Sequence, residues 1–204
     1  MPPKIHVIAV AYQKFGQLKV FVQSWLNQSQ DNWMLTVIHD GPNDEFDLIM
    51  VDYKQQAPEK ISFSNTENRF NDYGHSLRDL GLRNIRGDYV LLTNADNYFI
   101  PRAIEFINEV FIVHRPDVVI FDMVHSHDLP GKRNLPAYSF FETSFKRNSI
   151  DMSAAIVKSY LAEKAGFRDK TFAGDATYFE DVVKAKYPES LSFAKIRRIL
   201  FVHN

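Results

Sequence analysis

A hard divalent cation shared with phosphate oxygens is usually held by one or two carboxylates, with neutral oxygens beside them. The segment Asn94-Ala95-Asp96-Asn97 has that composition. It follows Tyr89-Val90-Leu91-Leu92, four apolar residues without alternation, which read as a strand buried on both faces and hence part of a parallel sheet. In an open α/β sheet the ligand lies outside the carboxyl ends of the strands, which is where Asn94, Asp96 and Asn97 stand. Asx-rich strand ends also form plain turns that cap their own backbone, so partners elsewhere in the chain must decide the matter.

Other groups suited to such chemistry recur along the chain. Asp40 precedes Gly41-Pro42, Asn68 precedes Arg69, and Asp175, Glu180 and Asp181 come late. Arg69 and Arg78 carry the planar fork that matches phosphate. His125-Ser126-His127-Asp128 places two imidazoles on one face of an extended segment, but with no further ligand evident it reads as polar loop rather than a zinc site. There is no G-x-G-x-x-G after the first strand, no P-loop, no G-x-S-x-G and no H-E-x-x-H. With no cysteine, disulfides, thiolate metal sites and a cysteine nucleophile are excluded, and a reducing cytoplasm is compatible.

The elements needed to position these groups follow from periodicity. Apolar runs predict strands at 5–11, 33–38, 60–64, 89–93 and 118–121, and apolar residues at helical spacing predict helices over 17–27, 45–56, 73–85 and from Pro101 to Arg115. Four strand-helix alternations imply an α/β fold, doubly wound, with a mostly parallel central sheet and helices on both faces. Residues 126–148 lack a period and read as a long functional loop. Strands at 150–157 and 192–202, with helices at 160–165 and 178–186, would form a small mixed C-terminal extension. Phe140 and Phe141 are expected in the core, while Tyr138 and Glu142 are candidates for polar contact with a bound ligand.

The bulk numbers agree with one domain of 204 residues, 45% of them hydrophobic. A net charge of -1 gives no general pull toward nucleic acid. No run approaches the ~20 apolar residues of a transmembrane helix, so a cytoplasmic protein is expected, with any membrane contact peripheral.

Taken in order, Ile8-Ala9-Val10-Ala11-Tyr12, Asp40-Gly41-Pro42, Asn68-Arg69, Gly81-Leu82 to Gly87-Asp88-Tyr89-Val90 and Asn94-Ala95-Asp96-Asn97 resemble the nucleotide-sugar half of family 2 glycosyltransferases with the GT-A fold. Met152-Ser153-Ala154-Ala155, Gly166-Phe167, Phe179-Glu180-Asp181 and the terminal Val202-His203-Asn204 resemble the acceptor half and its last metal-binding histidine. The resemblance implies a nucleotide-sugar half over 1–122 and an acceptor half over 123–204. It implies an inverting, metal-dependent transfer of a sugar from a nucleotide-diphosphate donor to a saccharide or lipid-linked acceptor hydroxyl. Ala9, Ala11, Tyr12, Asp40, Asn68, Arg69, Arg78, Asn94, Ala95 and Asp96 would then bind the donor. Asp96 and His203 would hold Mn2+ or Mg2+, the histidine favouring manganese. The family pattern is usually Asp-x-Asp, and Asn94 occupies its first place here. Asp181 is the first choice for the base that takes the acceptor proton, Asp175 the second, and Glu180 would orient the acceptor. A nucleotidyltransferase and a non-catalytic nucleotide- or carbohydrate-binding module remain as alternatives.

Overall fold

The computed structural model describes residues 1–130 and 133–204, so the expected loop 126–148 lies partly outside the described residues. Nine strands among them, β1 (Ile5–Ala11), β2 (Trp33–His39), β3 (Ile61–Asn65), β4 (Tyr89–Asn94), β5 (Tyr98–Phe99), β6 (Val118–His125), β7 (Phe140–Phe141), β8 (Ala155–Lys158) and β9 (Phe193–His203), form one mixed sheet in the order β3-β2-β1-β4-β8-β6-β9-β5, with β7 paired to β6. The first four strands, β1, β2, β3 at the sheet edge and β4, are parallel neighbours. Every residue of β1 is buried, as a strand covered on both faces requires. Ile5, Val7 and Ala9 face a core shared with α1 (Phe15–Leu26), α2 (Asp44–Gln56) and α4 (Ala103–Val113), whereas Ile8 and Val10 face α3 (His75–Leu82), α5 (Ser159–Ala165) and α6 (Gly174–Lys186).

Local chemistry sets the helix ends. The Asn43 side chain accepts the Phe46 amide at 2.9 Å to cap α2, whose first turn carries Asp44, Glu45 and Asp47 against the positive end of the helix dipole. Gly74 precedes α3 with φ +79°, and a Cβ there would lie 2.7 Å from Val10 Cγ2, so only glycine lets the helix start against β1.

The second half of the sheet is mixed. β8 (Ala155–Lys158) runs antiparallel to β4 and to β6 (Val118–His125), and β9 (Phe193–His203) runs parallel to β6. β5 (Tyr98–Phe99) pairs with the end of β9, and β7 (Phe140–Phe141) pairs with β6. A bulge at Asp122 in β6 breaks the register with β9. Bulges bend and twist a strand, and this one precedes the two histidine-bearing strand ends.

Several expectations are corrected here. The strand expected at 150–157 is a 3-10 turn at Met152–Ala154, capped by Asp151 Oδ1 on the Ser153 amide at 2.8 Å, and only then β8. β5 escapes sequence reading because two residues carry no period. α6 begins at Gly174 and not at Tyr178, because Gly174-Asp175-Ala176-Thr177 offers no apolar repeat. Phe140 is 57% exposed and only Phe141 packs inward, as alternation along a short strand dictates. No helix is long and apolar enough to cross a membrane among the described residues.

Candidate functional site

The carboxyl ends of β1, β2 and β4 open onto a cavity of about 370 Å³. Ala11, Tyr12, Asp40, Arg69, Asn94, Ala95 and Asp96, all singled out in the sequence, line it together with Lys14. Ala9 lies deeper in β1 with no exposure, and Asn68 lines a second cavity instead.

Asp40 builds one wall. Its Oδ1 accepts the Phe70 amide at 2.7 Å and its Oδ2 the Asn71 amide at 3.0 Å, so the carboxylate fixes the 69–71 loop. Above it the Arg69 guanidinium lies 3.7 Å from the centre of the Tyr12 ring, whose other neighbour is the buried His39 ring at 6.0 Å. Cation-π contact favours this stacking, and the resulting flat surface suits an aromatic base. His39 donates through Nδ1 to the Gly41 carbonyl at 2.7 Å, leaving Nε2 to accept the Gln13 amide at 3.4 Å. Gln13 and Lys14 sit at φ 53° and 52°, a left-handed conformation that is strained for non-glycine residues and is held here by the surrounding loop.

That loop aims Lys14 at the opposite wall. Lys14 Nζ lies 2.7 Å from Asp96 Oδ2, while Asp96 Oδ1 is buried without a hydrogen-bond partner among the described residues. Asn94 Oδ1 accepts the Arg78 Nη2 at 2.6 Å. Arg78 is 2% exposed and also donates to the Tyr73 carbonyl at 2.9 Å, so it buttresses the cavity from behind. Burial pulls its pKa below the ordinary guanidinium value. Asn97 bridges β4 to the rest: its amide donates to Thr93 Oγ1 at 3.1 Å and Ser153 Oγ at 2.9 Å, and its oxygen accepts the Asn204 amide at 3.2 Å. The Asn204 side chain donates to the Asp96 carbonyl.

The glycosyl transferase family 2 model matches residues 6–172. The chain belongs to glycosyl transferase family 2. An uncharacterised glycosyltransferase of Rickettsia prowazekii is 27% identical over 120 residues, covering 58% of this chain and 36% of that relative. One of Rickettsia typhi is 26% identical over 120 residues. The chain thus spans about a third of the length of the curated relatives it matches. Among solved structures, S. aureus TarS superposes with TM-score 0.76 over 98% of this chain and 60% of that one, at 17% identity. TarS in complex with UDP-GlcNAc gives TM-score 0.72 at 16% identity over 96% of this chain and 59% of that one. The mannosyltransferase PcManGT from Pyrobaculum calidifontis, in complex with GDP-Man and Mn2+, gives 0.71 at 15% identity over 100% and 57%. At these identities the likeness is one of fold, and the fold is GT-A.

Across the family 2 fold, the three late carboxylates meet different fates. Asp181 accepts from Arg168 Nε at 2.6 Å and Lys184 Nζ at 2.8 Å. Burial alone would raise its carboxyl, but these hydrogen bonds outweigh it and hold it below the ordinary range. Glu180 is on the surface, paired with Arg147 at 2.8 Å. Asp175 stands in the first turn of α6, where Oδ1 is buried with no hydrogen bond among the described residues although the side chain as a whole is 40% exposed. Burial raises its pKa against the opposing pull of Arg78, and Asp151 adds to the rise. Gly174 permits this placement, since a Cβ there would meet His75 Nε2 and the Asp169 carbonyl at 2.6 Å each.

His75 is 1% exposed beside Asp175. Its Nε2 donates to the Thr171 carbonyl at 3.0 Å, so Nδ1, which is 3.7 Å from Asp175 Oδ1 and 3.3 Å from Arg78 Nη1, carries no proton. Burial, helped by Arg78, lowers its pKa and keeps it neutral. Tyr138 is 69% exposed with its amide on the His125 carbonyl at 2.6 Å, and Glu142 is exposed.

His203 ends β9 with Nε2 3.5 Å from Asp151 Oδ2. His125 and His127 stand beside it, and Asp96 does not belong to that cluster. A divalent ion of the kind expected at Asp96 fits the residues there. The buried, unpartnered Oδ1 is a free ligand, and such ions are commonly held by one carboxylate plus phosphate oxygens and water.

Proposed function

We propose that this chain carries the donor site and the base of an inverting glycosyltransferase that uses a nucleotide-diphosphate sugar. The observation that carries the reading is the pairing of one cavity with one base. Asp96, Lys14, the Tyr12–Arg69 stack and Asp40 converge on the carboxyl edge of the sheet, and Asp175 is the late carboxylate whose Oδ1 accepts no hydrogen bond among the described residues. The TarS and PcManGT complexes, with UDP-GlcNAc and with GDP-Man, support a nucleotide sugar as the class of donor.

The Tyr12–Arg69 face would stack the base, and the Asp40-fixed loop would border the ribose. Lys14 would meet the diphosphate as a point charge, helped by the backbone it is held on. Asp96 would hold a divalent cation, which when bound neutralises the charge that grows on the departing diphosphate. The acceptor hydroxyl attacks the anomeric carbon from the side opposite the diphosphate. As that C–O bond forms, the hydroxyl proton passes to the Asp175 carboxylate, and the bond from the anomeric carbon to the phosphate oxygen breaks with its electron pair leaving on the nucleoside diphosphate. A carboxylate whose pKa is raised is the stronger base for this step. Asp181, already neutralised by two cations, is a poor one. His75 and Arg78 would position Asp175, and Tyr138 and Glu142 remain the candidates for acceptor contact.

A thermal-shift panel of nucleotide sugars with and without Mn2+ tests the donor site, since a ligand that binds only the folded state raises its apparent stability. Slow release of free sugar from the donor that stabilises most tests the chemistry. Stabilisation by no nucleotide sugar would remove the reading.

A further inference from the structure

A cavity of about 490 Å³ lies outside the transfer chemistry, over the open edge of the sheet. β3 is the last strand on that side, and α3 packs mainly on β1 and β2, so the outer part of this face is left uncovered. Thr36 and Ile38, alternate residues of β2 and hence on one face, line the cavity with Ser64 of β3. The last turn of α3 forms one wall through Leu80 and Gly81. The loop 66–71 is common to both cavities: Arg69 and Asn71 line the first, whereas Thr66, Asn68 and Phe70 line this one. Ligand sites run from about 300 to 1,000 Å³, a range that includes it.

The lining is rich in uncharged groups that both donate and accept. Hydroxyls come from Thr36, Ser64 and Thr66, and amides from Asn65, Asn68 and Asn84. The Thr36 hydroxyl is fixed before any ligand arrives. It lies 2.8 Å from His6 Nε2 and 2.8 Å from Ser62 Oγ, which in turn accepts Arg86 Nη2 at 2.8 Å. Asn65 Oδ1 is buried without a hydrogen-bond partner among the described residues. Phe70 is 49% exposed and, with Ile38 and Leu80, supplies apolar surface. Charge argues against a phosphate. Arg83 at the wall is paired with Asp79 at 3.2 Å, Glu67 adds a carboxylate, and the carbonyl end of α3 carries the negative pole of that helix. What suits the cavity is a neutral molecule with many hydroxyls and apolar C–H faces.

We propose that this cavity is a second, non-catalytic subsite that binds a neutral oligosaccharide. It stands apart from the first cavity but not in isolation from it. The amide of Phe70 is held at 2.7 Å by Asp40, whose carboxylate lines the first cavity. A saccharide against Phe70 therefore bears on the loop that carries Arg69. Coupling of this kind is reciprocal, so a ligand of either cavity changes the affinity of the other by the same factor.

Saturation-transfer NMR on the full chain, with maltotriose, cellotriose and chitotriose and with no nucleotide sugar present, tests the site. At least one should bind with a Kd of about 1 mM or tighter, and should shift the amide resonances of Ser64, Asn68, Phe70 and Asn84. Ser64→Trp, which fills the cavity from an exposed position, should abolish binding. Asn84→Ala, also at an exposed position, should weaken it by about 2- to 10-fold through the loss of one hydrogen bond. Asp96→Asn and Asp175→Asn should leave saccharide binding unchanged, so failure of the transferase reading and failure of this subsite are read separately. Binding of none of the three, binding insensitive to both Ser64→Trp and Asn84→Ala, or shifts centred on Asp96 and Asp175 would overturn the proposal.

Discussion

Lys14 Nζ lies 2.7 Å from Asp96 Oδ2 across the mouth of the cavity, so the carboxylate proposed for a divalent cation is already paired with a fixed cation of the chain. Lys14 is 56% exposed against 13% for Asp96, and with the ammonium in solvent a pair of this kind is worth ~0.2–1 kcal/mol. A divalent ion must displace that ammonium or share Asp96 with it. Lys14→Ala should therefore tighten Mn2+ binding to the free protein by up to about fivefold, the ratio that corresponds to 1 kcal/mol. It should also weaken nucleotide-sugar binding measured without metal. Calorimetric titration of both ligands checks this, and unchanged affinities would show that Lys14 is only a surface partner.

Asp175 and Asp181 lie on one helix but make opposite predictions. Asp175→Asn removes the proton acceptor and should cut turnover by about 10²–10⁴-fold with donor binding kept. It should also raise the melting temperature at neutral pH. A carboxyl whose folded pKa is raised favours folding when protonated and opposes it when ionised, and the amide abolishes that cost. Asp181→Asn should leave turnover within a few-fold and lower stability by ~1 kcal/mol or less, because its partners Arg168 and Lys184 are 62% and 66% exposed. Activity lost in Asp181→Asn and kept in Asp175→Asn would reverse the assignment.

The same carboxyl predicts an acid limb. As the proposed base, Asp175 would act only when ionised, and its pKa is raised above the ordinary 3.8 by burial, with Arg78 and His75 pulling the other way. Donor hydrolysis should fall as pH drops through a point above 3.8, approaching a tenfold loss per pH unit below it. The residual activity of Asp175→Asn should lack this limb. A wild-type profile flat down to pH 4 would contradict a raised base.

The cavity wall was legible because each of these residues follows a strand whose apolar run announces itself. Ile5–Ala11, Trp33–His39 and Tyr89–Asn94 place Tyr12, Asp40 and Asp96 on one edge as soon as the sheet is parallel. What stayed hidden depends on long-range pairing. Lys14 stands in an ordinary loop until its left-handed backbone aims it at Asp96, 82 positions away. His203 joins His125 only through the register of β6 with β9. The base was harder still, since Asp175 and Asp181 are indistinguishable by type. Asp181 is neutralised by Arg168, 13 positions upstream, and Asp175 follows a glycine that packs against His75 where a Cβ would not fit.

Asn94 stands where the family pattern usually has aspartate, and the buried Arg78 gives it a use. The 2.6 Å hydrogen bond to a guanidinium that is 2% exposed is the kind worth about 1.5–3 kcal/mol. Asn94→Ala would strip Arg78 Nη2 of this partner while Nε already has none. Urea denaturation should show a loss of about 2–3 kcal/mol with an unchanged m-value. Asn94→Asp should fold, because a carboxylate there meets Arg78 rather than open apolar surface. An Asn94→Ala midpoint equal to wild type would mean that water replaces the amide.

His6 predicts how the fold fails in acid. It is 1% exposed in β1, its Nδ1 accepts the Arg86 amide at 3.2 Å, and Nε2 donates to Thr36 Oγ1 at 2.8 Å. Burial, with the nearby Arg86 charge, lowers its pKa from 6.5 to about 4. A depressed folded value means the unfolded chain binds the proton first, so stability is full above pH 6.5 and is lost as pH falls toward 4. The loss reaches at most about 3 kcal/mol for this group. His125, also held down to about 4 by burial and by its histidine neighbours, acts in the same direction. His6→Gln keeps an acceptor and a donor in reach but cannot titrate, so its stability between pH 7 and 4 should decline less steeply than that of the wild type. Parallel curves for the two proteins would place the acid sensitivity elsewhere.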